Sequence, residues 1–231
     1  MHRLFRLFST SIGRKLVMAA TGLMLLGFLL AHMLGNMSLF QGQDALNTYA
    51  EWLQGHPFLW VMRAGLALVF VVHVWVAVRL SLENRAARPD AYEGGRHFET
   101  SGASRYMLFT GILVVFFVVY HILHFTLGTI DPGAYAGVDA QGRHDVYSMV
   151  IRSFQNPWLS GSYIISMVVI GFHLVHASRS LFQTVGINHD SYNGAIRFVS
   201  HAMVAVFVLG NCSFPILVLT GVIGLPGADP R

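Results

Sequence analysis

The chain has 231 residues, of which 54% are hydrophobic and only 11% charged. A soluble domain carries about 25% charged residues, so this composition excludes an ordinary water-soluble globule. The net charge is +4, and the basic residues cluster between apolar blocks, a pattern that suits lipid headgroups and a topology signal rather than nucleic acid.

The first element in chain order is the segment 2–15, where Leu4, Phe5, Leu7 and Phe8 alternate with Arg3 and Arg6. It reads as a short interfacial helix or a frayed tail. It runs directly into an apolar block without a small-residue cleavage site, so no cleavable signal peptide is expected. Five apolar blocks follow, at 16–40, 58–80, 106–128, 161–182 and 198–224. Each approaches or exceeds the about 20 residues that a bilayer crossing needs. Inside a bilayer the backbone must satisfy its own hydrogen bonds, so the blocks should be helices. The expected fold is therefore an all-α membrane protein, one domain over 1–231, with four histidine-bearing helices and a fifth. No internal repeat or low-complexity tract is expected. Cys212 is alone, which excludes an intrachain disulfide, a thiolate cluster and covalent c-type haem.

Five spans put the termini on opposite sides. The side with the N-terminus and the loops after spans two and four carries eleven of the fifteen Lys and Arg residues; Arg63, Arg143, Arg152 and Arg231 fall on the other. The N-terminus is therefore expected in the cytoplasm, with the chain in a bacterial-type inner membrane and its C-terminus outside. All eleven acidic residues fall in loops or tails on these boundaries, so no carboxylate-based proton path across the membrane is expected.

Six of the twelve histidines lie within the first four spans: His32, His73, His121, His124, His173 and His176. Ionisable residues at such positions are rare and usually functional. A rise of about 1.5 Å per residue sorts them by depth. His32 and His121 lie roughly 22–24 Å from the inner edge of spans that run outward. His73 and His173 lie roughly 18–22 Å from the outer edge of spans that run inward. Two levels result, His32 with His121 nearer the outside and His73 with His173 nearer the inside. Two imidazoles from facing helices at one depth can serve as the axial ligands of a haem iron. His124 and His176 follow His121 and His173 by three residues. One member of each pair would bind iron and the other a haem propionate or a quinone; depth does not separate these roles. Gly22, Gly27, Gly35, Gly65, Gly111 and Gly171 could leave room for flat macrocycles or serve close helix packing.

Four stretches carry a resemblance: "GRKLVMAATGLMLLGFLLAHMLGN" around His32, "FVVHVWVAVRLSLENRAARP" around His73, "VVYHILHFTLG" around His121 and "GFHLVHASRSLFQTVGIN" around His173. The chain resembles the dihaem cytochrome b anchor subunit of succinate:quinone oxidoreductases (succinate dehydrogenase or fumarate reductase), the type with one five-helix polypeptide. The resemblance implies two haem b groups, with His32 and His121 ligating the one distal to the soluble subunits and His73 and His173 the proximal one. It also implies a flavoprotein subunit and an iron–sulfur subunit on the cytoplasmic face, and a quinone, more often menaquinone, as this chain's own substrate. Members of the family can use a carboxylate after span one for the quinol proton. Glu51 is the nearest candidate for that catalytic role, one turn before Gln54, which the loop alignment sets opposite the expected position. Arg14, Lys15, Arg105 and Arg179, near the inner ends of spans, are candidates to pair with haem propionates. Two other readings remain: a cytochrome b subunit of a hydrogenase or formate dehydrogenase, and a metal transporter lined by histidines.

Overall fold

A computed structural model of the chain describes residues 9–86 and 102–227, with the side chains of 102–105 undescribed. The described part is helical without a β-strand, and five helices are long and apolar enough to cross a membrane. They are α1 (Ser11–Asn36), α3 (Phe58–Ala86), α4 (Gly102–His121), α7 (Pro157–Thr184) and α8 (Asp190–Leu219). The short helices α2 (Gln43–Gly55), α5 (Pro132–Tyr135) and α6 (Val146–Gln155) join them at one end. The segment 2–8, half of the expected interfacial helix, lies outside the described residues.

Local chemistry sets the helix starts. The Thr10 side chain accepts from the Gly13 amide at the head of α1, and Asn156 accepts from Trp158 and Leu159 at the head of α7, with Pro157 at the first helical position. These groups satisfy amides that the first turn of a helix leaves unpaired. The helices overrun the expected spans: α3 continues to Ala86 and α8 begins at Asp190. As a consequence Glu83 lies within a helix and not in a loop. It pairs with Arg14 of α1 at 2.7 Å, and this pair marks one end of the bundle, the Arg14 end.

The opposite end carries a folded cap. Asn47 of α2 is fully buried and holds three partners, donating to Asp139 and Asp145 at 3.0 Å each and accepting from the Tyr147 amide. Arg143 bridges Asp139, Asp44 and Thr48. Beneath this polar clasp sits an apolar cluster of Leu39, Leu46, Tyr147, Ile151, Phe154, Tyr163, Phe214 and Val218. A second cluster, including Met33, Met167, Ile170, Val204 and Phe207, joins α1, α7 and α8 along the bundle. Burial is uneven among the spans. α4 has no buried residue among its described side chains and α3 has one, Val76, whereas α7 and α8 pack closely. Gly171 lets Val208 approach so closely that a Cβ there would come within 2.6 Å of it. At the Asp139 end Trp52, Trp60 and Trp158 are exposed, the position of an interfacial aromatic belt.

Candidate functional site

α1 pairs with α3, and α4 pairs with α7. In each pair a histidine of the second helix rests on a Thr-Gly step of the first. His73 Nδ1 lies 3.0 Å from Thr21 Oγ1, and the ring sits where Gly22 has no side chain; a Cβ there would lie 3.4 Å from His73 Cε1. His173 Nδ1 lies 3.3 Å from Thr110 Oγ1, and a Cβ on Gly111 would lie 3.5 Å from His173 Cε1.

These contacts bear on the tautomer. The Thr21 hydroxyl donates to the Val17 carbonyl at 2.8 Å, and that of Thr110 to the Met107 carbonyl at 3.0 Å. Each hydroxyl has one proton and spends it on the backbone, so toward the imidazole it acts as an acceptor. With each hydroxyl donating to the backbone, it is Nδ1 of His73 and His173 that donates to the threonine, and Nε2 keeps a free lone pair. An outer partner that orients the imidazole in this way is the usual companion of a metal-ligating histidine. Neither Nε2 is hydrogen-bonded to a described residue.

The second level lies eleven residues further along both helices. Thr21 to His32 and Thr110 to His121 span the same interval, about 16 Å of helix. The rings of His32 and His121 meet with centroids 5.8 Å apart and planes at 88°. Two imidazoles on opposite sides of one metal ion, each bonded at about 2 Å, have ring centres about 6 Å apart. The arrangement of His32 and His121 is close to that spacing. Because α1 and α4 run in the same direction and meet at His32 and His121, Thr21 and Thr110 share a level too, and so do the histidines that rest on them.

The motif T-G-x9-H thus occurs twice, at 21–32 and 110–121. Each copy is followed by a helix with histidine and arginine six apart, His73 with Arg79 and His173 with Arg179. The spacing thus recurs in two helix pairs, α1–α3 and α4–α7, each with a histidine of the second helix seated on a Thr-Gly step of the first.

His124 does something different from His121. The chain leaves α-helical geometry at Ile122–Thr126 for a π turn, a distortion frequent at functional sites. His124 is 2% exposed, and its Nδ1 is 2.9 Å from the Tyr163 hydroxyl. Tyr163 touches His121 as well, with centroids at 6.1 Å. His121 therefore faces His32, and His124 is tied to α7. His176 is half-buried one turn beyond His173 and has no hydrogen bond to a described residue.

The remaining expected residues fall at the two ends. Arg14 is engaged with Glu83, and Lys15 and Arg179 are exposed. Arg105 has a side chain outside the described residues. Glu51 is exposed on α2. Its neighbour Tyr49 packs against Gly35, one turn past His32, with the hydroxyl 2.6 Å from where a Cβ would be. The glycines divide by role. Gly22 and Gly111 make room for imidazoles, Gly35 for a tyrosine and Gly171 for helix packing, while Gly27 and Gly65 face open space. The sequence reading missed Thr21, Thr110 and Tyr163; the doubled T-G-x9-H was the available signal for the first two.

No family model, curated protein or solved structure matches the chain. Among the described residues no three His, Cys, Asp or Glu side chains converge as a metal site. His32 and His121 meet as a pair of rings, while His73 and His173 each rest on a threonine.

Proposed function

We propose that the chain is the dihaem cytochrome b anchor of a succinate:quinone oxidoreductase, passing electrons between a quinol and an iron–sulfur subunit. The observation that carries this reading is the meeting of His32 with His121, about 16 Å along the bundle from Thr21 and Thr110, on which His73 and His173 rest. A haem iron takes four ligands from its macrocycle and two from protein, so two histidines at each level complete it. His32 and His121 would hold one haem b, and His73 and His173 the other. When bound, the haems supply one-electron redox chemistry. The scarcity of buried residues on α3 and α4 fits helices that leave room for a flat group beside them.

The chain's own residues do the positioning. Thr21 and Thr110 hold two imidazoles with Nε2 free, and Tyr163 steadies the segment that carries His121. The Arg14 end, with most of the basic residues, faces the cytoplasm and receives the iron–sulfur and flavoprotein subunits. Quinone, menaquinone by the resemblance, binds toward the Asp139 end, where α2 crosses α1 at Tyr49 and Gly35. Glu51, two residues past Tyr49, is positioned to take a quinol proton. Single substitutions test the pairing: His32→Ala and His121→Ala should remove one haem, and His73→Ala and His173→Ala the other. Loss of the same haem from His32→Ala and His73→Ala would overturn it.

A further inference from the structure

A groove of about 440 Å³ runs between α4 and α7 near the Asp139 end of the bundle. α4 finishes at that end and α7 starts there. Tyr120 and Ser162 therefore mark the end of the groove nearer the cap, and Leu113 and Val169 the end nearer the middle of the bundle. Seven residues of helix separate the two ends on each side, about 10 Å. Phe116 and Ile165 form the rim and are 69% and 66% exposed, so the groove opens sideways to the bilayer. Its inner wall includes Phe117, whose ring centroid lies 5.7 Å from that of His121.

The groove is apolar except for three hydroxyls, and two of these spend their hydrogens on the backbone. Ser162 donates to the Leu159 carbonyl at 2.7 Å, and Ser166 to the Ser162 carbonyl at 2.8 Å. The third, Tyr120, lies within hydrogen-bonding reach of Ser162. With the serine hydrogens on the backbone, Tyr120 donates to Ser162, and its own oxygen is left to accept. The groove thus suits a ligand with an apolar body and an O–H group at the end nearer the cap. An acyl chain has no hydrogen to donate there. An oxidised quinone offers only carbonyl acceptors, whereas a quinol offers hydroxyls.

We propose that this groove binds a lipid-soluble quinol, with a ring hydroxyl donating to Tyr120 and the tail running toward Leu113 and Val169. The choice of a quinol among hydroxyl-bearing apolar molecules rests on the dihaem reading, in which a quinol is this chain's own substrate and His121 holds the haem beside Phe117. The groove adds a second position, on α4 and α7, to the one beside Tyr49 and Glu51, and it favours the reduced form over the oxidised one.

The test uses the full chain, purified with its haems and reduced beforehand so that the probe is not consumed. The probe is a naphthoquinol with a decyl tail that ends in a diazirine. Its dimethyl ether, with the same rings and tail but no hydroxyl, is the comparison. After illumination the labelled peptides are mapped by mass spectrometry, and the haem spectrum of the same sample is recorded. The quinol should label the stretches 113–120 and 158–170, and the ether about fivefold less. Tyr120→Phe should bring the quinol down to the level of the ether, and Ser162→Leu, which fills the groove, should abolish labelling there; both variants should keep their haems. Label confined to α1 and α2, equal labelling by the ether, or undiminished labelling of Ser162→Leu would each overturn the proposal. A dihaem chain unlabelled in the groove would sink the proposal alone. A chain without haem that labels as expected would sink the dihaem reading and support the groove.

Discussion

Thr21→Val is the most informative single change at the histidine levels. Valine has nearly the shape of threonine, so packing around this buried position (8% exposed) is kept. What goes is the oxygen that accepts from His73 Nδ1 at 3.0 Å. A buried ring N–H without an acceptor costs about 1–3 kcal/mol, or about 5- to 150-fold in an equilibrium constant. Loss of an outer partner of a metal-ligating histidine typically costs about 10–100-fold in affinity, in agreement with that range. The expected outcome is weaker retention of one haem, the one that His73→Ala and His173→Ala remove, with the other untouched. Thr110→Val should loosen the same haem by less, because its contact with His173 is longer at 3.3 Å. Thr21→Ser keeps the acceptor and should behave as the parent. The assay is haem per chain from the reduced pyridine spectrum, followed during timed dilution into detergent. If Thr21→Val left both haems as tightly held as before, or released the haem that depends on His32, the tautomer argument would be refuted.

Other outcomes follow from the same geometry. Gly111→Ala puts a methyl at ordinary contact distance, 3.5 Å from His173 Cε1, and should be tolerated; Gly111→Leu should push the imidazole away and cost the haem of His73 and His173, which the absorption spectrum reads directly. Asn47→Ala leaves the buried Tyr147 amide without its acceptor, a loss of about 1–3 kcal/mol, and thermal unfolding should shift down accordingly. Burial works to raise the Asp139 carboxyl, but hydrogen bonds from Asn47, Arg143 and Gln141 prevail and hold it at about 2, against 3.8 when released. With its folded pKa depressed, Asp139 stabilises the cap fully above 3.8 and loses that contribution as pH falls through about 2. Hydrogen-exchange protection of Val146–Gln155 should fall across that window; unchanged protection down to pH 2 would contradict the role given to Asp139. Glu51→Gln should depress quinol turnover with both haems present, and full turnover would remove Glu51 from the proton step.

The spans were legible because apolar runs of bilayer length have few alternatives, and the depth of a histidine follows from a fixed rise per residue. The same arithmetic put His32 level with His121, and their rings meet in the structure. Other features depend on contacts between helices that a sequence does not display. Gly22 and Gly111 looked like space for a macrocycle but receive imidazoles, because α3 and α7 lie against those faces. His121 and His124, three apart, looked like neighbours on one face; the π turn and the Tyr163 bond send His124 to α7. The segment between spans three and four read as a loop because it is polar. Its Asp131, Asp145 and Asn156 are helix caps, and Asp145 also bonds across to α2. The doubled T-G-x9-H was visible in the sequence, yet its meaning depends on what each threonine touches.

The most direct test of the account is the haem content of the purified full chain, produced with adequate haem supply. The account predicts two haem b per chain, both low-spin with two histidine ligands by electron paramagnetic resonance, and a reduced b-type absorption band. A colourless protein, or one haem per chain that survives His32→Ala and His73→Ala alike, would contradict it.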